Sequence, residues 1–260
     1  MTETVELPKE HLRCRTSLRV SNFLPDISWV KDKKLENTPI EILKDLPDEV
    51  GGNYDWETGT VRVSLKAITE AAKDVYEVKR RSSSDEFKDK IERNWLSWND
   101  EARRSAIITY LYLRAFESAS GHYDELKKLI AREIVLHETR HAYDAIRGYK
   151  EQLGQVGPVE MLASLARLEN SPVYGRFLAL CIESYWLQEI KEFNPASLQE
   201  KIGVVIIKTL LGFIEDDHPQ VRGGLADKLK FLAFLPSVEF KKLCEYVRNE
   251  LEKQIYAPKG

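Results

Sequence analysis

Apolar residues change their spacing partway along the chain. Up to about residue 65 they fall in short runs rich in β-branched side chains, Leu18–Ser21, Ile27–Val30 and Val61–Leu65, separated by Pro25, Pro39, Pro47 and Gly51-Gly52. Such runs between breakers predict strands. Asp55-Trp56-Glu57-Thr58-Gly59-Thr60 is turn chemistry leading into Val61-Arg62-Val63-Ser64, whose alternation predicts Val61 and Val63 on a buried face and Arg62 and Ser64 on an open one. From about Lys66 the apolar positions recur every three or four residues. That spacing predicts helices at about 66–80, 86–98, 101–119, 124–147, 158–169, 173–192, 196–214 and 221–256, the last broken near Pro236. The pattern describes an α+β chain, mainly α: a β-containing lobe over 1–65 packed on a core over 66–170, followed by a helical subdomain over 171–260.

Composition narrows the classes of partner. With 43% hydrophobic residues in 260, the chain can bury a large core. A net charge of -3 removes the broad basic footprint of a nucleic-acid binder. Three cysteines, Cys14, Cys181 and Cys244, without Cys-x-x-Cys spacing suggest neither a disulfide framework nor a cysteine zinc knuckle, and fit a reducing compartment. Met1–Glu10 carries three glutamates and no apolar core, so no secretory signal is readable there. The apolar run Ile202–Ile214 contains Lys208 and is too short for a membrane span of roughly 20 residues. The expectation is a cytoplasmic protein without membrane or nucleic-acid partners, although an exported effector would look the same. Arg13, Arg15 and Arg19 read as a solvated strand face, and Lys79–Glu86 as a polar connection.

The chemistry is concentrated in one predicted helix, where His137-Glu138-Thr139-Arg140-His141 has the His-Glu-x-x-His form. Histidines four residues apart project one turn apart from one helical face, so both rings can reach a single ion at about 2.0–2.1 Å. Glu138 lies about 100° round the helix, positioned to contact a water held by the metal. For this composition, roughly 0.01 chance matches per chain are expected. Ile130, Ile134, His137 and His141 follow steps of four, three and four, so the histidines continue a buried stripe.

Two histidines leave zinc one protein donor short of a catalytic set. After the helix, Gly148–Pro158 holds three glycines and a proline, enough to reverse the chain, and a helix then opens with Val159-Glu160-Met161-Leu162-Ala163-Ser164. Glu160 is the favoured third ligand. Asp144 is its rival on the face of the histidines, either a direct ligand or a group supporting one, and Glu169, Glu183 and Glu189 are lesser candidates. His218, Tyr174 and Tyr185 are candidates, in that order, for stabilising an oxyanion.

HETRH followed by a loop and a helix beginning with a glutamate resembles the gluzincin group of zinc metallopeptidases. Glu160-Met161-Leu162-Ala163-Ser164-Leu165-Ala166 is similar to the Glu-x-x-Ala-Asp-x-x-Ala segment of the HtpX and CAAX prenyl protease family, with Ser164 in place of the aspartate. Asp217-His218-Pro219-Gln220-Val221-Arg222 is similar to the His-Pro segment and following arginine of those peptidases, although the arginine comes early and their membrane helices are missing. Compact ImmA/IrrE-type proteins offer another comparison. The resemblance covers about residues 55–170. It implies a zincin-like fold with a small N-terminal sheet, Gly59–Ser64 being similar to the edge strand that receives an extended substrate. It also implies one zinc ion on His137, His141 and Glu160, Glu138 as general base, His218 facing the oxyanion, and a protein or peptide substrate. A zincin-fold binding or regulatory protein without turnover, and a zinc hydrolase of a non-peptide amide, are the alternatives.

Overall fold

The structure, a computed structural model, describes residues 18–46, 51–78, 83–148, 157–191, 194–217 and 223–256. Its fold is α+β and mainly helical, with one four-stranded sheet. The sheet is built from β1 (Leu18–Arg19), β2 (Pro39–Leu43), β3 (Gly52–Asp55) and β4 (Thr60–Ser64) in the order β1-β2-β4-β3. β2 and β4 run parallel, with Ile40 opposite Val61 and Ile42 opposite Val63, while β1 and β3 pair antiparallel on the outside. β4 is therefore an interior strand. The edge expected at Gly59–Ser64 is supplied instead by β3, because the turn at Asp55–Gly59 folds β3 back onto the outer side of β4.

The first part of the chain is less extended than its β-branched residues suggest. Among the described residues before β2, Leu18–Arg19 is the strand. Val20–Phe23 forms α1, Ser28–Lys31 a single 3-10 turn, and Lys33–Glu36 forms α2. The buried positions there, Val20, Phe23, Leu24, Ile27 and Val30, follow the i, i+3, i+4, i+7 pattern of a helical face. That spacing suits helical turns, and it prevails over the β-branching of Ile27 and Val30. β2 alternates as a strand should, Ile40 and Ile42 buried, with Pro39 as its first residue, where a proline is tolerated. On β4 the open face is narrower than the alternation implies. Ser64 is fully buried because its Oγ caps the next helix, accepting from the Ala67 amide at 3.1 Å. Arg62 is half-buried between Asp55 (2.7 Å) and Glu41 (3.4 Å).

The remaining elements are helices, close to their predicted spans: α3 (Leu65–Val78), α4 (Ser84–Asn94), α5 (Asp100–Ser118), α6 (Tyr123–Ile146), α7 (Pro158–Asn170), α8 (Tyr174–Lys191), α9 (Leu198–Asp217), α10 (Leu225–Phe234) and α11 (Ser237–Tyr256). α4 and α5 begin at the side chains of Ser83 and Asn99, which accept from the amides of Glu86 and Ala102. Pro158 occupies the first turn of α7, where it leaves no donor unmet. The break before Pro236 separates α10 from α11, with Leu235 extended as a residue before proline should be. α4 stops at Asn94, and Trp95–Ser97 form a 3-10 turn. No described helix is long and apolar enough to cross a membrane.

Two apolar clusters organise these elements. One packs the inner side chains of the sheet, Ile40, Ile42, Val61 and Val63, against Ile68 and Val75 of α3 and Ile130 and Ile134 of α6. The other is helical and contains Met161, Leu165 and Leu168 of α7 with Phe177, Trp186, Ile207 and Phe240. Trp95 and Tyr110 are buried in this second cluster, with Trp98 and Tyr112 packed against it. α6 and α7 thus lie where the two clusters meet. Between Ile130 and Asp144, α6 is buried on almost every side, an environment in which polar groups require partners.

Candidate metal centre

His137 and His141 project from α6 one turn apart, and their Nε2 atoms are 3.2 Å from each other. The start of α7 brings Glu160 to the same point, Oε2 3.4 Å from His137 Nε2 and Oε1 3.4 Å from His141 Nε2. Among the described residues, these three form the group of His, Cys, Asp and Glu donors close enough to share one ion. The separations can be tested against zinc. A tetrahedron with about 2.1 Å from centre to corner has edges of about 3.4 Å; the two nitrogens are 3.2 Å apart and each is 3.4 Å from a different oxygen of the Glu160 carboxylate, so the three groups surround a space of the size one ion needs. Two imidazole nitrogens facing each other at 3.2 Å also need a proton or a cation between them, whatever their tautomers. Two nitrogens and a carboxylate oxygen are a donor set suited to zinc.

Burial sets the electrostatics. It raises the Glu160 carboxyl, but hydrogen bonds and charge from His137 and His141 outweigh it, so Glu160 is held well below the usual carboxylate range. Burial lowers His141, but the hydrogen bond with Glu160 and the charges of Glu138, Glu160 and Asp144 outweigh that, leaving it raised to about 9. Both directions describe a pocket that favours positive charge. Glu138 goes the other way: burial pushes its carboxyl up, against the lowering influence of both histidines. It lies against β3, where a Cβ added to Gly52 would be 3.0 Å from Glu138 Cγ.

The rival acids are engaged elsewhere. Asp144 is fully buried and binds Arg140 (3.2 and 3.3 Å) and the Tyr256 hydroxyl. Glu169 pairs with Arg248 at 2.7 Å, Glu183 pairs with Arg104, and Glu189 is exposed on α8. The Tyr174 hydroxyl is bonded to Arg114 (2.7 Å) and Ser237 (3.3 Å), and its ring stacks on Phe240 in the helical cluster. Tyr185 packs against the same cluster near Glu189 and Glu215. His218, like Arg13, Arg15 and His11, lies outside the described residues. His122 stands at the N-cap of α6 and its side chain makes no cap bond. His137 Nδ1 and Ser164 Oγ are buried and make no hydrogen bond among the described residues.

Three features escape a reading of the sequence. Gly51-Gly52 signals a break, yet Gly52 is a strand residue whose missing side chain lets β3 approach α6. Glu133, one turn before His137 and completely buried, binds Arg167 of α7, Arg176 of α8 (2.7 Å) and Ser171 (3.1 Å). A single arginine in the otherwise apolar middle of α7 was the available signal for that pairing. The third feature is the tie from Arg140 and Asp144 to α11, residues more than 100 positions later, for which the sequence carries no local sign. Comparison of the chain with protein-family models, curated sequences and solved structures gives no match.

Proposed function

We propose that the chain is a zinc-dependent hydrolase of peptide bonds, with a zincin-like arrangement of sheet, His-Glu-x-x-His helix and glutamate helix as the gluzincin resemblance implies. The observation that carries this reading is the set of donor separations, 3.2, 3.4 and 3.4 Å, formed by His137, His141 and Glu160 with Glu138 beside them. These three residues would hold the ion. What zinc supplies when bound is Lewis acidity towards a carbonyl oxygen and a water pKa lowered to about 7.

The rest falls to the chain's own residues. Glu138 takes the proton of the attacking water and passes it to the leaving nitrogen, and its raised carboxyl suits a group that must hold a proton between those two events. β3 orients the substrate. The Ser64 amide donates to the Gly51 carbonyl at 2.9 Å, so antiparallel alternation turns the N–H and C=O groups of Gly52 and Tyr54 towards the outer edge. A peptide laid along that edge in extended form would place its backbone beside Glu138. The requirement for an extended main chain favours a peptide over other amides.

The test compares wild type with Glu138→Gln and Glu160→Ala for zinc content and for cleavage of an unfolded protein such as denatured casein. Close to one zinc per chain is expected in wild type and Glu138→Gln, with cleavage lost in the latter, and little zinc in Glu160→Ala. A metal-free wild type that takes up no zinc at micromolar concentration, or a fully active Glu138→Gln, would overturn the reading.

A further inference from the structure

The variable positions of His137-Glu138-Thr139-Arg140-His141 are not solvent-facing filler. Arg140 is 1% exposed and lies between the two histidine turns, its guanidinium over the rings of Tyr143 (4.8 Å) and Trp29 (5.9 Å). Its Nε donates to Asp144, three residues after His141, and its Nη1 and Nη2 donate to Glu252 (2.7 Å) and Tyr256 (3.2 Å) at the end of α11. The Tyr256 hydroxyl donates in turn to Asp144. From Glu252 the chain of contacts continues to Arg248 (2.7 Å) and then to Glu169 (2.7 Å), which is on α7 with Glu160. The last three turns of α11 therefore grip both helices that present the metal donors, one through Arg140 and Asp144 and the other through Glu169.

We infer that Tyr256 and Glu252 are positioning residues for the metal centre: α11 latches the His141 turn through the buried Arg140–Asp144 pair, so ion affinity depends on the last turns of α11. The physical reason is that a buried guanidinium and carboxylate hold one orientation only while every donor and acceptor between them is met. Removing the Tyr256 hydroxyl takes one of the two donors from Asp144 Oδ1 and the acceptor from Arg140 Nη2, and lets the pair re-orient. Because Arg140 precedes His141 directly, that movement is transmitted to a donor whose spacing to its neighbours must hold within tenths of an ångström. Groups one contact removed from metal ligands typically change affinity 10–100-fold when altered.

This inference rests on the metal-site reading, and the experiment separates the two. Wild type, Tyr256→Phe and Glu252→Gln are compared with Asp227→Ala, which breaks a bond to Trp95 (2.7 Å) on elements that carry no donor. Three quantities are measured on the full chain: zinc affinity by competition with a chromophoric chelator, the visible spectrum of the cobalt(II) form, and the thermal midpoint without metal. Tyr256→Phe is expected to bind zinc at least about 10-fold more weakly and to shift the cobalt bands. Glu252→Gln should follow in the same direction. Asp227→Ala should lower the midpoint and leave affinity and bands unchanged. Wild-type affinity and spectrum in both α11 variants overturn the latch and leave the metal site standing. An equal loss of affinity in Asp227→Ala at matched midpoint also overturns it, because the effect is then one of stability alone. A wild-type chain that binds neither ion removes the metal site and the latch together.

Discussion

A methyl group at position 52 would lie 2.6 Å from Ile134 Cγ2 and 3.0 Å from both the Arg62 carbonyl oxygen and Glu138 Cγ. The carbonyl belongs to the strand pairing and cannot retreat, so the side chains of Ile134 and Glu138 must. Gly52→Ala is expected to keep zinc and fold but to lose turnover by about 10²-fold, the scale of a misplacement near 1 Å. Steady-state cleavage beside zinc content checks it, and unchanged turnover would show that Glu138 can act from another rotamer. His141 gives a second prediction at this scale, with a definite sign. In the metal-free chain its value is raised to about 9 from an ordinary 6.5. A raised imidazole contributes stability that is complete below about pH 6.5 and lost as pH rises through about 9. Chelated protein should therefore melt at a lower temperature at pH 9.5 than at pH 6.5 by more than Glu160→Ala does. A pH-independent difference between the two would contradict the hydrogen bond as the cause.

At the scale of elements, the two donor helices are joined by Glu133. Burial raises its carboxyl, yet the charges of Arg167 and Arg176 outweigh that and hold it low. A depressed carboxyl contributes stability above its unfolded value of about 4.5 and loses it as pH falls through the folded value. Glu133→Ala leaves two buried guanidinium groups without their anion and should cost about 3–5 kcal/mol. Urea titration at pH 7 measures that cost, and the gap between variant and wild type should narrow on acidification below pH 4.5. The same helices show why the helical half of the fold was legible. Ile130, Ile134, His137 and His141 keep one period, and Pro158 marks the start of α7, so local pattern and tertiary burial agree. The three grouped residues could be named for the same reason: four-residue spacing puts His137 and His141 on one face of α6, and Glu160 stands in the first turn of α7 beside them. The N-terminal lobe was less legible. There Ile27 and Val30 have strand propensity but helical spacing, and Gly51-Gly52 has the composition of a break but serves as an edge whose close approach needs glycine. The ties from Arg140 to Tyr256 and from Glu133 to Arg176 join residues far apart in sequence. No periodicity records which buried charge will meet which.

For the molecule as a whole, the donor set lies on the seam between two apolar clusters. α6 contributes Ile130 and Ile134 to the cluster beneath the sheet, and α7 contributes Met161, Leu165 and Leu168 to the helical one. An ion held by His137, His141 and Glu160 would therefore join the clusters, adding to the tie already made by Glu133 and Arg167. On the proposed zinc reading, the ion would bind the folded chain with all three donors and an unfolded one with scattered donors, so binding free energy would become folding free energy. At free zinc 100-fold above Kd the gain is about 2.7 kcal/mol, which in a chain of this size raises the thermal midpoint by about 5–10 °C. Calorimetry with and without a chelator should show that difference in wild type and in Glu138→Gln, whose donors are intact. Glu160→Ala should show little of it, and Tyr256→Phe an intermediate shift at limiting zinc, because a weaker site fills less. A chelator-insensitive midpoint in a chain that nevertheless retains zinc would mean that the ion binds outside the seam, on a surface that unfolding does not disturb.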